Sequence, residues 1–152
     1  MAVLSLLLEK REWCGRWLGR RGRGSSEFAR NECGGAVRDY RKLHVWERAH
    51  RFVVRVYEAS RRFPDEERFG LTSQLRRACV SVPSNVAEGA GRRSKAEFAH
   101  FIDFALGSTN EVEYQLFLAL ELGFLDHATW APLDQELGEI RRMLTALHRS
   151  IA

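Results

Sequence analysis

Leu133, Leu137, Ile140, Leu144, Leu147 and Ile151 follow one another at steps of four, three, four, three and four. Only an α-helix brings that spacing onto one face, because a turn takes about 3.6 residues. Such a stripe must be covered by another element. The period recurs three times upstream. Val45, Ala49, Phe52 and Val56, flanked by Trp46 and Val53, form one stripe, and Leu71, Leu75, Ala78, Val82 and Val86 form a second. Phe98, Phe101, Ile102, Ala105, Thr109, Val112, Leu116 and Leu120 form the third. No alternating pattern competes, so the chain reads as all-α. Four amphipathic helices joined by short turns predict an antiparallel up-and-down four-helix bundle.

The punctuation places the boundaries. The first helix is expected to end near Arg62, where "FPDEERFG" interrupts it, and the second to run from about Glu67 to Glu88, stopped by Gly89 and Gly91. Pro83 lies inside the second helix, removes one N–H and crowds the carbonyl of Cys79, which predicts a kink. Ser94 and Glu97 have the spacing of a capping box at the start of the third helix, and Gly123 is placed to close it as a left-handed cap. The start of the fourth is ambiguous, because Pro132 is comfortable only in a first turn.

Residues 1–38 carry no such stripe. "GRWLGRRGRGSS" is rich in Gly, Arg and Ser, so this segment is expected to be a disordered Gly/Arg-rich extension ahead of a bundle domain over residues 39–152. An Arg/Gly tail can hold RNA electrostatically. The competing reading is a start assigned too early, with Val37 as an alternative initiator.

The formal net charge is +4, and residues 1–38 account for all of it. The remainder is neutral but polarised: residues 39–95 carry thirteen basic and seven acidic side chains, residues 96–152 three basic and nine acidic. That split suits a polyanion on one face, complementary packing between subunits, or ordinary solvated helix faces. Cys14, Cys33 and Cys79 have neither metal-ligand spacing nor the pattern of a disulfide framework, which fits a reduced, cytoplasmic setting. The opening "MAVLSLLLEKRE" lacks a basic segment before its apolar run and a cleavage site after it, so neither signal peptide nor membrane span is expected.

Metal binding is one chemistry that such a bundle can carry, since di-metal sites are built in bundle cores from Glu-x-x-His pairs. Glu47 with His50 and Glu97 with His100 supply two such pairs, with Glu88, Glu136 and Glu139 as further carboxylates. At about 100° per residue, Glu47 and His50 lie roughly 160° and 100° from the centre of their apolar stripe. Glu97 and His100 lie roughly 85° and 145° from theirs. Ligands must point inward, so no metal and no cofactor is expected. No His-Glu-x-x-His, nucleophile elbow or phosphate-binding loop is present, and no enzymatic activity is expected.

Two basic features remain. His44, Arg48, Arg51, Arg55 and Arg62 make a stripe roughly opposite the core of the first helix, and Arg92, Arg93 and Lys95 crowd the start of the third. Free N–H groups and cations converging there suit a phosphate; a solvated turn is the plainer reading. The candidate nucleic-acid contacts are therefore Arg48, Arg51, Arg55, Arg62, Arg92, Arg93 and Lys95. On the second helix Arg77, Ser81, Asn85 and Glu88 form a polar seam between apolar flanks, either a second contact surface for an oligomer or groups satisfied within the bundle.

"KLHVWERAH", "FPDEERFGLTSQLRRACVSVPSNVAEGAGRRSKAEF" and "FALGSTNEVEYQLFLALELGFL" resemble the bacterial 23S rRNA-intervening-sequence proteins over about residues 39–151. Residues 1–38 have no counterpart in that pattern, and Pro132 departs from its acidic opening of the fourth helix. The resemblance implies an up-and-down bundle and a ring-shaped homopentamer. It also implies kinship with the accessory protein of diversity-generating retroelements, a basic barrel that binds nucleic acid and a reverse transcriptase. It carries over no catalytic residue. The expected function is thus a non-enzymatic oligomer associated with RNA or DNA through phosphate contacts. The alternatives are an interaction scaffold, or a reverse-transcriptase accessory subunit without RNA affinity of its own, and, remotely, a di-metal carboxylate enzyme.

Overall fold

The computed structural model describes residues 38–151. The extension expected over residues 1–38 lies, apart from Arg38, outside the described residues. Four α-helices form: α1 (His44–Ala59), α2 (Leu71–Ala90), α3 (Lys95–Glu121) and α4 (His127–Ile151). Short 3₁₀ turns cover Tyr40–Lys42, Ser60–Arg62 and Asp65–Arg68. No strand forms among the described residues. Each helix packs on two others, α1 on α2 and α4, α3 on α2 and α4, which closes a four-cornered helical bundle.

The apolar stripes are the core. Val45, Ala49, Phe52 and Val56 of α1 are buried, as are Leu133, Leu137, Ile140 and Leu144 of α4. From α3, Phe98, Ile102, Ala105, Thr109, Val112 and Leu116 point inward, and the Thr109 hydroxyl is satisfied by the Leu106 carbonyl at 2.7 Å. α2 is buried on more than one side: Cys79, Pro83, Gly89 and Ala90 join the expected face.

Local signals decide most helix ends. Ser94 Oγ accepts from the Glu97 N–H at 3.1 Å while the Glu97 carboxylate accepts from the Ser94 N–H at 3.3 Å, completing the capping box. Gly123 adopts φ 72°, and the Phe124 N–H turns back to the Ala119 carbonyl at 2.9 Å, as the left-handed cap requires.

Three boundaries differ from the sequence reading. α2 begins at Leu71 rather than Glu67. Asp65–Arg68 forms a 3₁₀ turn instead, and the Glu67 carboxylate reaches forward to accept the Leu71 N–H at 2.8 Å. Gly89 does not stop α2, which continues to Ala90. A Cβ on Gly89 would stand 2.6 Å from Phe101 Cβ and 2.8 Å from Phe98 Cδ2, so this glycine lets α2 and α3 approach. α4 starts five residues before Pro132, because the Asp126 carboxylate accepts the Thr129 N–H at 2.7 Å and caps the added turn.

Candidate nucleic-acid interface

The arginine stripe of α1 is largely engaged. The Arg55 guanidinium bonds to the Glu136 carboxylate; Arg48 bonds to Glu139, with its Nε 3.6 Å from Glu136; and Arg51 pairs with Glu47 one turn back. The Glu136 side chain is only 12% exposed, against 44% and 46% for Arg48 and Arg55. The Arg48 and Arg55 pairs therefore lie along the seam between α1 and α4 and staple the two helices. Half-exposed pairs of this kind contribute about 0–1 kcal/mol each. Their geometric effect is larger, since they draw Arg48 and Arg55 away from a free cationic face.

Arg62 stands apart, at the far end of the bundle. There a cavity of about 310 Å³ is lined by Arg55, Glu58, Arg62, Asp126 and Thr129 among others. Asp126 is held below the usual carboxylate range by its side-chain and backbone hydrogen bonds with Thr129, and the Arg62 charge adds to this. Two carboxylates balance two guanidiniums, so nothing here favours an anion.

The opposite end is different. The Arg38 N–H donates to the Ala90 carbonyl at 3.1 Å, and its guanidinium lies 5.0 Å over the Phe98 ring. That contact brings the 3₁₀ turn with Arg41 and Lys42 beside the joint between α2 and α3, where Arg92, Arg93 and Lys95 stand. The last turns of α4 arrive at the same end, with His148 Nε2 3.2 Å from Asp103 and Arg149 next along. Arg92 is engaged: it bonds to Glu88, and its guanidinium lies 4.7 Å over Phe101. Arg93 and Lys95 are exposed and make no ion pair among the described residues. One end of the bundle thus gathers Arg38, Arg41, Lys42, Arg93, Lys95 and Arg149.

The first turn of α3 does not offer the phosphate cradle that the sequence suggested. Hydrogen bonds from the Ser94 side chain and backbone hold the Glu97 carboxyl below its ordinary range. An ionised carboxylate already stands where a phosphate would sit, satisfied by the cap. The cationic end is a surface for polyanions rather than a pocket for one.

The polar seam of α2 is resolved inside the bundle. Asn85 Nδ2 donates to Ser81 Oγ at 3.0 Å, the Ser81 and Ser108 hydroxyls meet at 2.9 Å, and Ser108 donates to the Phe104 carbonyl at 3.0 Å. With the single Ser108 proton directed at that carbonyl, Ser81 donates to Ser108, and the chain runs one way from α2 into α3. Glu88 belongs to the Arg92 pair, and Arg77 stays exposed. Glu47, His50, Glu97 and His100, the apparent metal pairs, are all exposed.

Beyond the sequence candidates, the fold forms a groove of about 360 Å³ between α1 and α2, lined by Tyr40, Trp46, His50, Val53, Val80, Pro83, Ser84 and Ala87. Trp46 and His50 are stacked, with centroids 5.4 Å apart and planes 6° from parallel, and Tyr40 meets Trp46 edge-on at 4.8 Å. The sequence signal was Trp46 and Tyr40 beside the core stripe, which reads as core edge; the fold makes these half-buried rings one wall of a groove beside α2.

The fold and surface define a class, a four-helix all-α protein with a cationic end. Residues 41–146 match the sequence profile of the family described as 23S rRNA-intervening sequence protein, and the chain belongs to that family. A protein of unknown function from the S23 ribosomal protein family of Bacteroides thetaiotaomicron, solved by crystallography, has the same fold. It aligns with a TM-score of 0.65 and 24% identity over 69% of this chain and 95% of its own. No curated protein matches. No helix among the described residues is long and apolar enough to cross a membrane.

Proposed function

We propose that this protein is a non-enzymatic, cytoplasmic bundle that holds nucleic acid by its phosphate backbone at the cationic end. Its helices alternate in direction, and its copies assemble into a ring. The observation that carries the reading is the convergence of Arg38, Arg41, Lys42, Arg93, Lys95 and Arg149 from three separate parts of the chain. The reversed order of the α1–α4 pairs, Arg48 with Glu139 and Arg55 with Glu136, supports alternating helices. Self-assembly is favoured by the outer face of α3, where Tyr114 is 64% and Phe117 50% exposed, and by the opposite charge of the two halves.

Backbone contacts of this type release counterions, so affinity should fall steeply with salt. Charge reversal on α1 is a poor test, because Arg55→Glu would set a carboxylate against Glu136. Arg93→Glu with Lys95→Glu leaves the core and the caps intact. Fluorescence anisotropy with a labelled RNA should show at least ten-fold weaker binding and a shallower salt slope; unchanged affinity would remove the cationic end from the reading.

The second reading is an interaction scaffold, with reverse-transcriptase partnership as its most specific form. The exposed aromatic face of α3 supports it. Assembly that depends on salt, with no RNA affinity at low ionic strength, would select it.

A further inference from the structure

The groove between α1 and α2 opens beside the cationic end. Three ring systems line it from one side: Tyr40 on the 3₁₀ turn, then Trp46 and His50 one turn apart on α1. Their relative order is set locally. The Asp39 carboxylate accepts the Arg41 N–H at 3.1 Å and fixes the turn that carries Tyr40, and the i,i+4 spacing stacks His50 on Trp46. The facing wall is thin and smooth, made of Val80, Pro83, Ser84 and Ala87. The hydroxyl of Ser84 makes no hydrogen bond among the described residues.

No lining residue is acidic, and at the borders Asp39, which caps the turn, is outnumbered by cations. The Arg41 guanidinium lies 5.3 Å over the Tyr40 ring, Lys42 follows it, and Arg77 precedes Val80 by one turn on the same line of α2. Glu47, the nearest carboxylate on α1, is taken by Arg51. An aromatic wall in which Tyr40 and Trp46 are half-buried and His50 is exposed, a hydroxyl and flanking positive charge are the components that proteins use on single strands, where bases stack on aromatic rings and phosphates follow cations. In a duplex both base faces are already covered.

We infer that this groove takes an unpaired nucleobase of a single-stranded nucleic acid, laid against the aromatic wall of Tyr40, Trp46 and the exposed His50. The adjoining phosphates pass over Arg41 and Lys42 towards Arg93 and Lys95. The inference rests on the nucleic-acid reading above and adds a site to it: the protein holds single strands by base stacking as well as by charge, and prefers them to duplexes.

The test uses the full chain and a labelled RNA of about twelve nucleotides, an abasic strand of equal charge, and a duplex. The intact strand should bind at least about ten-fold more tightly than the other two. Trp46→Ala and Tyr40→Ala should erase that preference and leave abasic binding within two-fold. Ser84→Trp, which fills the groove from an exposed position of α2, should do the same without removing a packed ring. Arg93→Glu with Lys95→Glu should weaken all three ligands alike. A preference for the intact strand that survives both Trp46→Ala and Ser84→Trp overturns the groove and leaves the cationic end standing. Failure of the unmodified protein to bind any strand removes both. If either groove variant instead lowers the assembly mass in sedimentation, the groove holds a second copy of the chain and the inference fails.

Discussion

Gly89→Ala and Gly107→Ala are the same chemical change at two helical positions, and the structure predicts opposite signs. In an exposed helix interior, alanine for glycine stabilises by about 0.8–1 kcal/mol, because the unfolded chain loses backbone freedom. Gly107 lies on the exposed side of α3, and a Cβ there meets nothing within 4 Å. The whole gain should appear, with a rise in Tm of about 2–6 °C for a chain of this size. At Gly89 the new methyl would stand 2.6 Å from Phe101 Cβ and 2.8 Å from Phe98 Cδ2. Phe101 Cβ is anchored to its backbone, and Phe98 is 1% exposed, so neither can simply turn aside. Separating α2 from α3 to make room has an overpacking cost of about 1–3 kcal/mol. Opposed by the same propensity gain, the net should be a loss of about 0–2 kcal/mol. Urea titrations followed by far-UV circular dichroism, at one protein concentration, measure both variants. The decisive quantity is the difference, about 1–3 kcal/mol in favour of Gly107→Ala. If the two midpoints rise together, α2 and α3 are not in close contact at Gly89 and the packing argument fails.

Two further outcomes follow from charge and burial. Arg55→Glu places a carboxylate against the largely buried Glu136 and should lower the urea midpoint clearly, whereas Arg61→Glu, exposed and outside that seam, should leave it nearly unchanged; equal effects would mean that the α1–α4 pairs do not hold the helices. Burial pushes the Cys79 thiol from 9.0 up to about 12, so the unfolded chain releases this proton at lower pH than the folded one. The resulting stability is complete below about pH 9 and declines as pH rises towards 12. With Cys14 and Cys33 replaced by Ser, Cys79 should resist iodoacetamide at pH 8 until denaturant is added, and Cys79→Ala should flatten the alkaline decline; rapid labelling of the folded protein would contradict the burial.

Much of this molecule is readable in one dimension. The helices and their core faces follow from spacing, because a residue's side of a helix depends only on its position modulo the turn. The box at Ser94 and Glu97 and the left-handed Gly123 are equally local, each being chemistry between near neighbours in the chain. Local rules also misled where a distant partner decided the outcome. Gly89 has the composition of a stop signal, yet Phe98 and Phe101 across the helix interface give it its reason. Pro132 looks like a first-turn residue, but Asp126 caps the helix a turn and a half earlier.

The candidate site was less legible, and for one physical reason. Viewed on α1 alone, Arg48, Arg51 and Arg55 form a free cationic stripe; only the tertiary fold brings Glu136 and Glu139 close enough to engage two of them. In the other direction, Arg38, Lys42, Arg93 and Arg149 are scattered in the sequence and become neighbours only when three chain segments meet at one end. The sequence by itself determined four helices, their buried faces and two caps, because these depend on interactions within a few residues. Charge acts through space, so which cations remain available to a polyanion, and which aromatic rings line a groove beside α2, was decided by the tertiary structure alone.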